Sequence, residues 1–301
     1  MVRRLALAFA LWVGVAGATV PVAMPAPLPA ALPARPDSLK FAAIGDSGTG
    51  DRAQYEVGQQ MATERKRFPF ELVIMLGDNM YGRQQPEDFV DKFERPYAAL
   101  LQGGVRFYAS LGNHDNPRNR QYEGFHMGGE RYYTFSRKNV RFFVLDSNQM
   151  DPQQRAWLDA ALAAAEEPWK VCYFHHPLYS DAGRHGSDVS LRVILEPIFT
   201  KHRVNVVFAG HDHIYERLTP QKGIYYFVEG ASGQLRKGDT RRSAMTAVAF
   251  DQAESFMLVE IDGNQLSFQA ISRTGTTVDS GTIQRQSRTA ASVSRLVPPA
   301  R

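Results

Sequence analysis

Five short apolar runs in this chain end in a loop carrying side chains that bind metals, and this recurrence constrains the fold more than any other feature of the sequence. Apolar runs short enough for strands occupy 39–44, 71–76, 105–110, 140–145, 170–174 and 204–209, with helix-like patterns over 52–67, 86–101, 152–166 and 189–201. Asp151 followed by Pro152 is an N-cap and first-turn signature for the third helix. Strands alternating with helices predict an α/β sandwich. Beyond Gly210 the pattern changes to strands alone, over 224–228, 246–250, 256–261, 265–271 and 277–283. Asp262-Gly263-Asn264 is a hairpin signal between two of them. These later strands are expected to add antiparallel edges to the sheet layers.

The loops read Gly45-Asp46-Ser47-Gly48, Gly77-Asp78-Asn79-Met80-Tyr81, Gly112-Asn113-His114-Asp115, Phe174-His175-His176-Pro177 and Gly210-His211-Asp212-His213. Open α/β sheets bind ligands just beyond the carboxyl ends of their strands, so loops far apart in sequence can converge there. Gly-Asp and Gly-Asn are ordinary turn pairs one at a time. Five in order, each after an apolar run, predict a site. Asp46, Asp78, Asn113, Tyr81, His175, His211 and His213 offer oxygen and nitrogen but no thiolate. Such a set suits iron, zinc or manganese. It is also too large for one ion, and it suits two ions sharing a carboxylate, the usual apparatus for displacement at phosphorus.

The ordered motifs resemble the calcineurin-like metallophosphoesterase family, over about residues 39–233, and within it the purple acid phosphatases of the small, tartrate-resistant type. The resemblance implies a four-layer α/β/β/α sandwich with a binuclear metal site at the strand ends. It implies that Asp46, Asp78, Tyr81 and His213 hold one metal and that Asp78, Asn113, His175 and His211 hold the other, with Asp78 as the bridge. His114 and His185 are implied as the catalytic histidines, the first contacting phosphate and the second protonating the leaving group. The implied reaction is hydrolysis of a phosphate ester by a metal-bound hydroxide.

Two positions point to the purple subgroup. Many phosphodiester-cleaving relatives have a histidine two residues after the first aspartate, where this chain has Gly48, and they lack a counterpart of Tyr81. A phenolate in that place favours a trivalent ion, so the implied cofactor is Fe(III) with Fe(II), Zn(II) or Mn(II). The animal members carry a long protease-sensitive loop between the third and fourth motifs, whereas here Asp146 leads directly through 147–150 into a helix. An open site that needs no proteolysis is therefore expected. The alternative within enzymes is a Zn- or Mn-dependent phosphodiesterase or broad-specificity phosphatase of the same superfamily. From another class, the alternative is an exported protein that captures metal or phosphate without turnover.

Outside the motifs, His176 is expected to support the ligand shell or face substrate, and Tyr179 and Arg184 to be solvated loop side chains. His126 and His202 are read as structural or exposed. Cys172, the single cysteine, lies in an apolar run and is read as a small buried hydrophobe.

Arg3-Arg4, the apolar stretch 5–15 and Ala16-Gly17-Ala18 form the three parts of a secretory signal, cleaved after Ala18. An uncleaved anchor is the alternative, for which the run is short. No cysteine follows it, which argues against a lipoprotein. The expected organisation is a signal peptide over 1–18, a Pro/Ala-rich linker over 19–37, one catalytic domain over 38–284 and a tail over 285–301, in a secreted or periplasmic protein. A net charge of +4, part of it from Arg3 and Arg4, is too small to indicate nucleic acid or stable membrane association after signal cleavage. The expected partner is a small-molecule phosphate ester or a phosphorylated substrate.

Overall fold

The computed structural model describes residues 32–285. The expected signal peptide and most of the linker and tail lie outside them. The chain runs β1 (Leu39–Ile44), α1 (Arg52–Arg65), β2 (Leu72–Met75), α2 (Pro86–Phe89), α3 (Ala98–Gln102), β3 (Arg106–Ala109), β4 (Tyr133–Arg137), β5 (Val140–Val144), α4 (Pro152–Ala164), β6 (Trp169–Tyr173), α5 (Val189–His202) and β7 (Val206–Ala209). Strands β8 (Tyr215–Leu218), β9 (Tyr225–Glu229), β10 (Thr246–Phe250), β11 (Ser255–Asp262), β12 (Gln265–Ser272) and β13 (Thr277–Gln284) follow.

Two sheets form, one ordered β13-β12-β11-β1-β2-β3 and the other β10-β8-β9-β7-β6-β5-β4. Their facing sides bury one apolar layer, in which Phe41 of β1 meets Phe142 and Phe208 of the opposite sheet edge to face at 5.4 and 6.1 Å. Phe41 is fully buried, and truncating such a ring to alanine costs about 3–5 kcal/mol. Alternate residues of β1, Ala42 and Ile44, face outward against Val57 and Met61 of α1. On the other sheet, Phe143 and Cys172 face outward against Leu158 of α4 and Leu195 of α5. The result is the expected four-layer α/β/β/α sandwich. Among the described residues, no helix is long and apolar enough to cross a membrane.

The fold departs from the sequence reading in four places. The helix expected over 86–101 is broken into α2, a π-helical turn over Val90–Glu94, and α3. Pro96 has no N–H to offer the carbonyl of Lys92, which accepts instead from Gln54 Nε2 at 2.5 Å. Strands β4 and β8 were not anticipated; both are short, and β4 is only partly buried. The strand at 224–228 is parallel to its neighbour β7 rather than antiparallel. It is the second arm of the hairpin β8–β9, whose turn holds Lys222 and Gly223 at positive φ, and it slots between β8 and β7. Finally, the end of the expected tether is docked: Ala34 and Arg35 donate backbone N–H bonds to the two carboxylate oxygens of buried Glu260, at 2.7 and 2.6 Å.

Candidate metal centre

Strands β1, β2 and β3 are parallel neighbours in one sheet and β6 and β7 are parallel neighbours in the other, so all five ligand-bearing loops leave the same edge of the sandwich. The loops interlock closely. A Cβ on Gly112 would sit 2.2 Å from Oδ1 of Asp78, and one on Gly210 would sit 2.5 Å from Oδ2 of Asp46. Only glycine lets these backbones approach the carboxylates of the neighbouring motifs. Asp46, Asp78 and His211 adopt left-handed φ of 53°, 49° and 71°. Such conformations are costly for non-glycine residues and concentrate at functional sites.

The seven predicted ligand residues come together as two touching groups. In the first, the Tyr81 hydroxyl donates to Asp46 Oδ1 at 3.0 Å and lies 3.3 Å from His213 Nε2, which is 3.4 Å from Asp46. In the second, His175 Nε2 lies 2.9 Å from Asn113 Oδ1, 3.1 Å from His211 Nδ1 and 3.5 Å from Asp78 Oδ2. Asp78 lies with Asp46 of the first group and His175 of the second, their ligand atoms all within 4.8 Å of one another, which puts it beside both groups. The arrangement holds Asp46 and Asp78 buried with His175.

The surroundings aim these side chains. His175 Nδ1 bonds the Leu76 carbonyl at 3.0 Å, which turns Nε2 toward the site. The amide of His211 donates to Asp46 Oδ2 and the amide of His114 to Asp78 Oδ1, at 2.7 and 2.8 Å. Burial and the charges of Asp46 and Asp78 push the Tyr81 phenol far above its ordinary value. Burial and the neighbouring imidazoles push His211 down to about 2. Burial pulls His175 down, but the Asp46 charge and the Asp78 contact raise it to about 9. Buried carboxylates that draw a proton onto His175, beside a neutral His211, form an environment that a multivalent cation balances in the proton's place, so the donors fit metals of the iron, zinc and manganese type.

Of the two catalytic candidates, His114 is exposed, with its ring 4.8 Å from that of Tyr81, and His185 is exposed with its ring 4.3 Å from that of His211. The structure draws His176 closer in than the sequence reading gave it. Its ring nitrogen groups with those of His175 and His211 within 4.8 Å, while Nδ1 lies 2.8 Å from Ser147 Oγ. Tyr179 is not solvated: it is buried, bonds Glu196 and packs on Tyr226. Proximity to α5 and β9 takes it out of the loop environment. Arg184 is exposed, as expected. His126 bonds the Phe107 carbonyl and His202 bonds Asp159, outside the site.

Two supporting residues escaped the sequence reading. Asp115 is buried and accepts from the amides of Gly112, Asn79 and Met80 at 2.8, 3.1 and 3.0 Å, clamping the second motif to the third. Burial pushes its carboxyl up to about 7 against the pull of these donors. Its place at the end of Gly112-Asn113-His114-Asp115 was the available signal. Gln84 carries no such signal, yet its amide donates to the carbonyls of Met80 and His114 and accepts from the Asn116 amide, at 2.9, 2.6 and 2.7 Å.

Comparison with known proteins gives the family and the fold. Residues 39–215 match the model of the calcineurin-like phosphoesterase family. The chain belongs to that family. Its sequence is similar to tartrate-resistant acid phosphatase type 5 of Sus scrofa, 25% identical with 83% of this chain and 88% of the relative covered. It is similar to purple acid phosphatase 3 of Arabidopsis thaliana at 27%, covering 67% and 65%. Among solved structures, a purple acid phosphatase from yellow lupin superposes with a TM-score of 0.69 at 18% identity, covering 85% of this chain and 55% of that one. GAP50, described as the anchor in the inner membrane complex of Plasmodium, superposes at 0.72 and 16%, covering 84% and 90%. At these identities the superpositions establish the fold.

Proposed function

We propose that this family member is an exported phosphomonoesterase of the purple acid phosphatase type. The observation that carries the reading is the Tyr81 hydroxyl within 3.3 Å of both Asp46 and His213, on the side of the site where the first motif has no histidine. Asp46, Asp78, Tyr81 and His213 would hold Fe(III), and Asp78, Asn113, His175 and His211 would hold Fe(II), Zn(II) or Mn(II). When bound, such a pair supplies Lewis-acid activation of water and of the phosphoryl oxygens.

The chain's own groups do the rest. Asp78, fixed by the His114 amide, keeps the two ligand groups in register. Exposed His114 donates to a phosphoryl oxygen, and its loop is held at working distance by Gln84. His185, on the loop beside His211, supplies the proton to the leaving alcohol oxygen. The direct passage from β5 to α4, capped by Asp151 Oδ1 accepting from the Gln154 amide at 2.8 Å, leaves no long insertion over the site. Activity without proteolysis follows from that.

The signal peptide over 1–18, the linker over 19–37, the catalytic domain over 38–284, the tail over 285–301 and a secreted or periplasmic location belong to the same proposal. So do a small-molecule phosphate ester as partner and the lack of nucleic-acid or stable membrane binding. The test is the rate on a phosphomonoester against a bis-ester with the same leaving group. A monoester preference is expected; faster cleavage of the bis-ester would move the reading to the phosphodiesterases.

A further inference from the structure

We propose that Arg236 is a specificity-determining residue, whose guanidinium binds a second anionic group, a carboxylate or phosphate carried on the alcohol part of the phosphomonoester. The inference rests on the phosphatase reading above and adds a substrate class to it.

Arg236 lies in the segment that follows β9 and crosses the site. Its amide donates to the His213 carbonyl at 2.9 Å, and two residues earlier the Gln234 amide donates to the Asp46 carbonyl at 3.1 Å. The segment is pinned to the His185 loop as well: the Gly183 amide donates to the Asp239 carbonyl at 2.7 Å, and Ala182 bridges Thr240. Arg236 therefore hangs from a fixed backbone between one ligand histidine and the candidate leaving-group acid.

The guanidinium itself is under-used. Its side chain is 29% exposed, and the nearest carboxylate oxygen, Asp239 Oδ2, is 3.9 Å away, beyond hydrogen-bond range. Nη1 of Arg236 and Oδ2 of Asp239 are both buried without a hydrogen bond among the described residues. Nη1 faces buried Asp239, whereas the exposed part of the guanidinium makes no hydrogen bond among the described residues and can take an anion from the open side as a charge-assisted pair. Exposed Arg184 and Lys237 lie on the same two paired segments, whereas Asp239 is buried and Asp181 is occupied by Ser243 and Thr246. The scissile phosphate is served by the two ligand groups and His114. The segment of Arg236 is instead paired with the loop of His185, the residue assigned above to the leaving alcohol, which places the guanidinium on that part of the substrate.

The experiment compares para-(carboxymethyl)phenyl phosphate with its methyl ester, in which the methylene insulates the phenol so that the leaving groups are nearly matched and the pair differs in one negative charge remote from phosphorus. Wild-type protein is expected to favour the carboxylate in kcat/KM by on the order of tenfold, the effect of one charge-assisted bond. Arg236→Met should abolish that ratio and Arg236→Lys should keep part of it. Calorimetry with para-carboxybenzylphosphonate and benzylphosphonate, which cannot be hydrolysed, should give the same preference in Kd. Turnover of both esters without preference in the wild type, or a preference that survives in Arg236→Met, overturns the role of Arg236 alone. Turnover of neither ester overturns the phosphatase reading beneath it.

Discussion

The phenolic oxygen of Tyr81 donates a 3.0 Å hydrogen bond to Asp46, across 35 residues of sequence and from one strand-end loop to the next. A phenol beside two buried carboxylates stays protonated unless a cation intervenes, so this contact marks where a metal would take the proton's place. Tyr81→Phe should abolish a phenolate-to-metal visible band while retaining most of the metal, because Asp46, Asp78 and His213 remain. Absorption spectra and metal analysis on one sample check this. An unchanged band would remove Tyr81 from the ligand set.

Asp78 lies beside both candidate ligand groups. Asp78→Asn should therefore lose metal from both and reduce phosphatase activity by about a thousandfold or more, as expected when a bridging charge is removed. His211→Ala should deplete the group of Asn113 and His175 first. Elemental analysis of the folded variants, with circular dichroism as control, distinguishes the two patterns.

Asp115 accepts three backbone N–H bonds that hold the second and third motifs together. Asp115→Asn turns part of that acceptor into a donor facing donors. The expected loss is about 2–4 kcal/mol, read as a lower urea midpoint with an unchanged slope.

Glu167 tests the outer frame, away from the candidate metal centre. Burial raises its carboxyl, but Arg141 and Ser136 outweigh that and hold it at about 2, against an ordinary 4.5. A depressed folded pKa adds stability that is fully present above the ordinary value and is lost as pH falls toward 2. At a partly solvated pair, screening reduces this contribution to about 1 kcal/mol. Glu167→Gln should be less stable than wild type at pH 6, with the difference vanishing near pH 2. A gap in urea midpoints that stays constant over that range would contradict the assignment.

The sheet layers and the convergence of the candidate ligand residues were legible because each rests on a local signal. An apolar run ends, a glycine turns the chain, and a ligand residue follows, as at Gly77-Asp78 and Gly210-His211. What was not legible depends on partners distant in sequence. Nothing near Pro96 says that the Lys92 carbonyl will find Gln54, and nothing in 224–228 says that the hairpin arm will insert beside β7. Tyr179 reads as a loop residue until α5 supplies Glu196. Arg236 lies in a stretch with no motif, and it matters only because its amide is tied to His213.

The most direct test is metal content and visible absorption of the protein purified without chelator. Two metal ions per chain, one of them iron, with a purple charge-transfer band that Tyr81→Phe removes, is the predicted result. Two colourless divalent ions, or one ion per chain, would contradict the Fe(III)–Tyr81 centre on which this account rests.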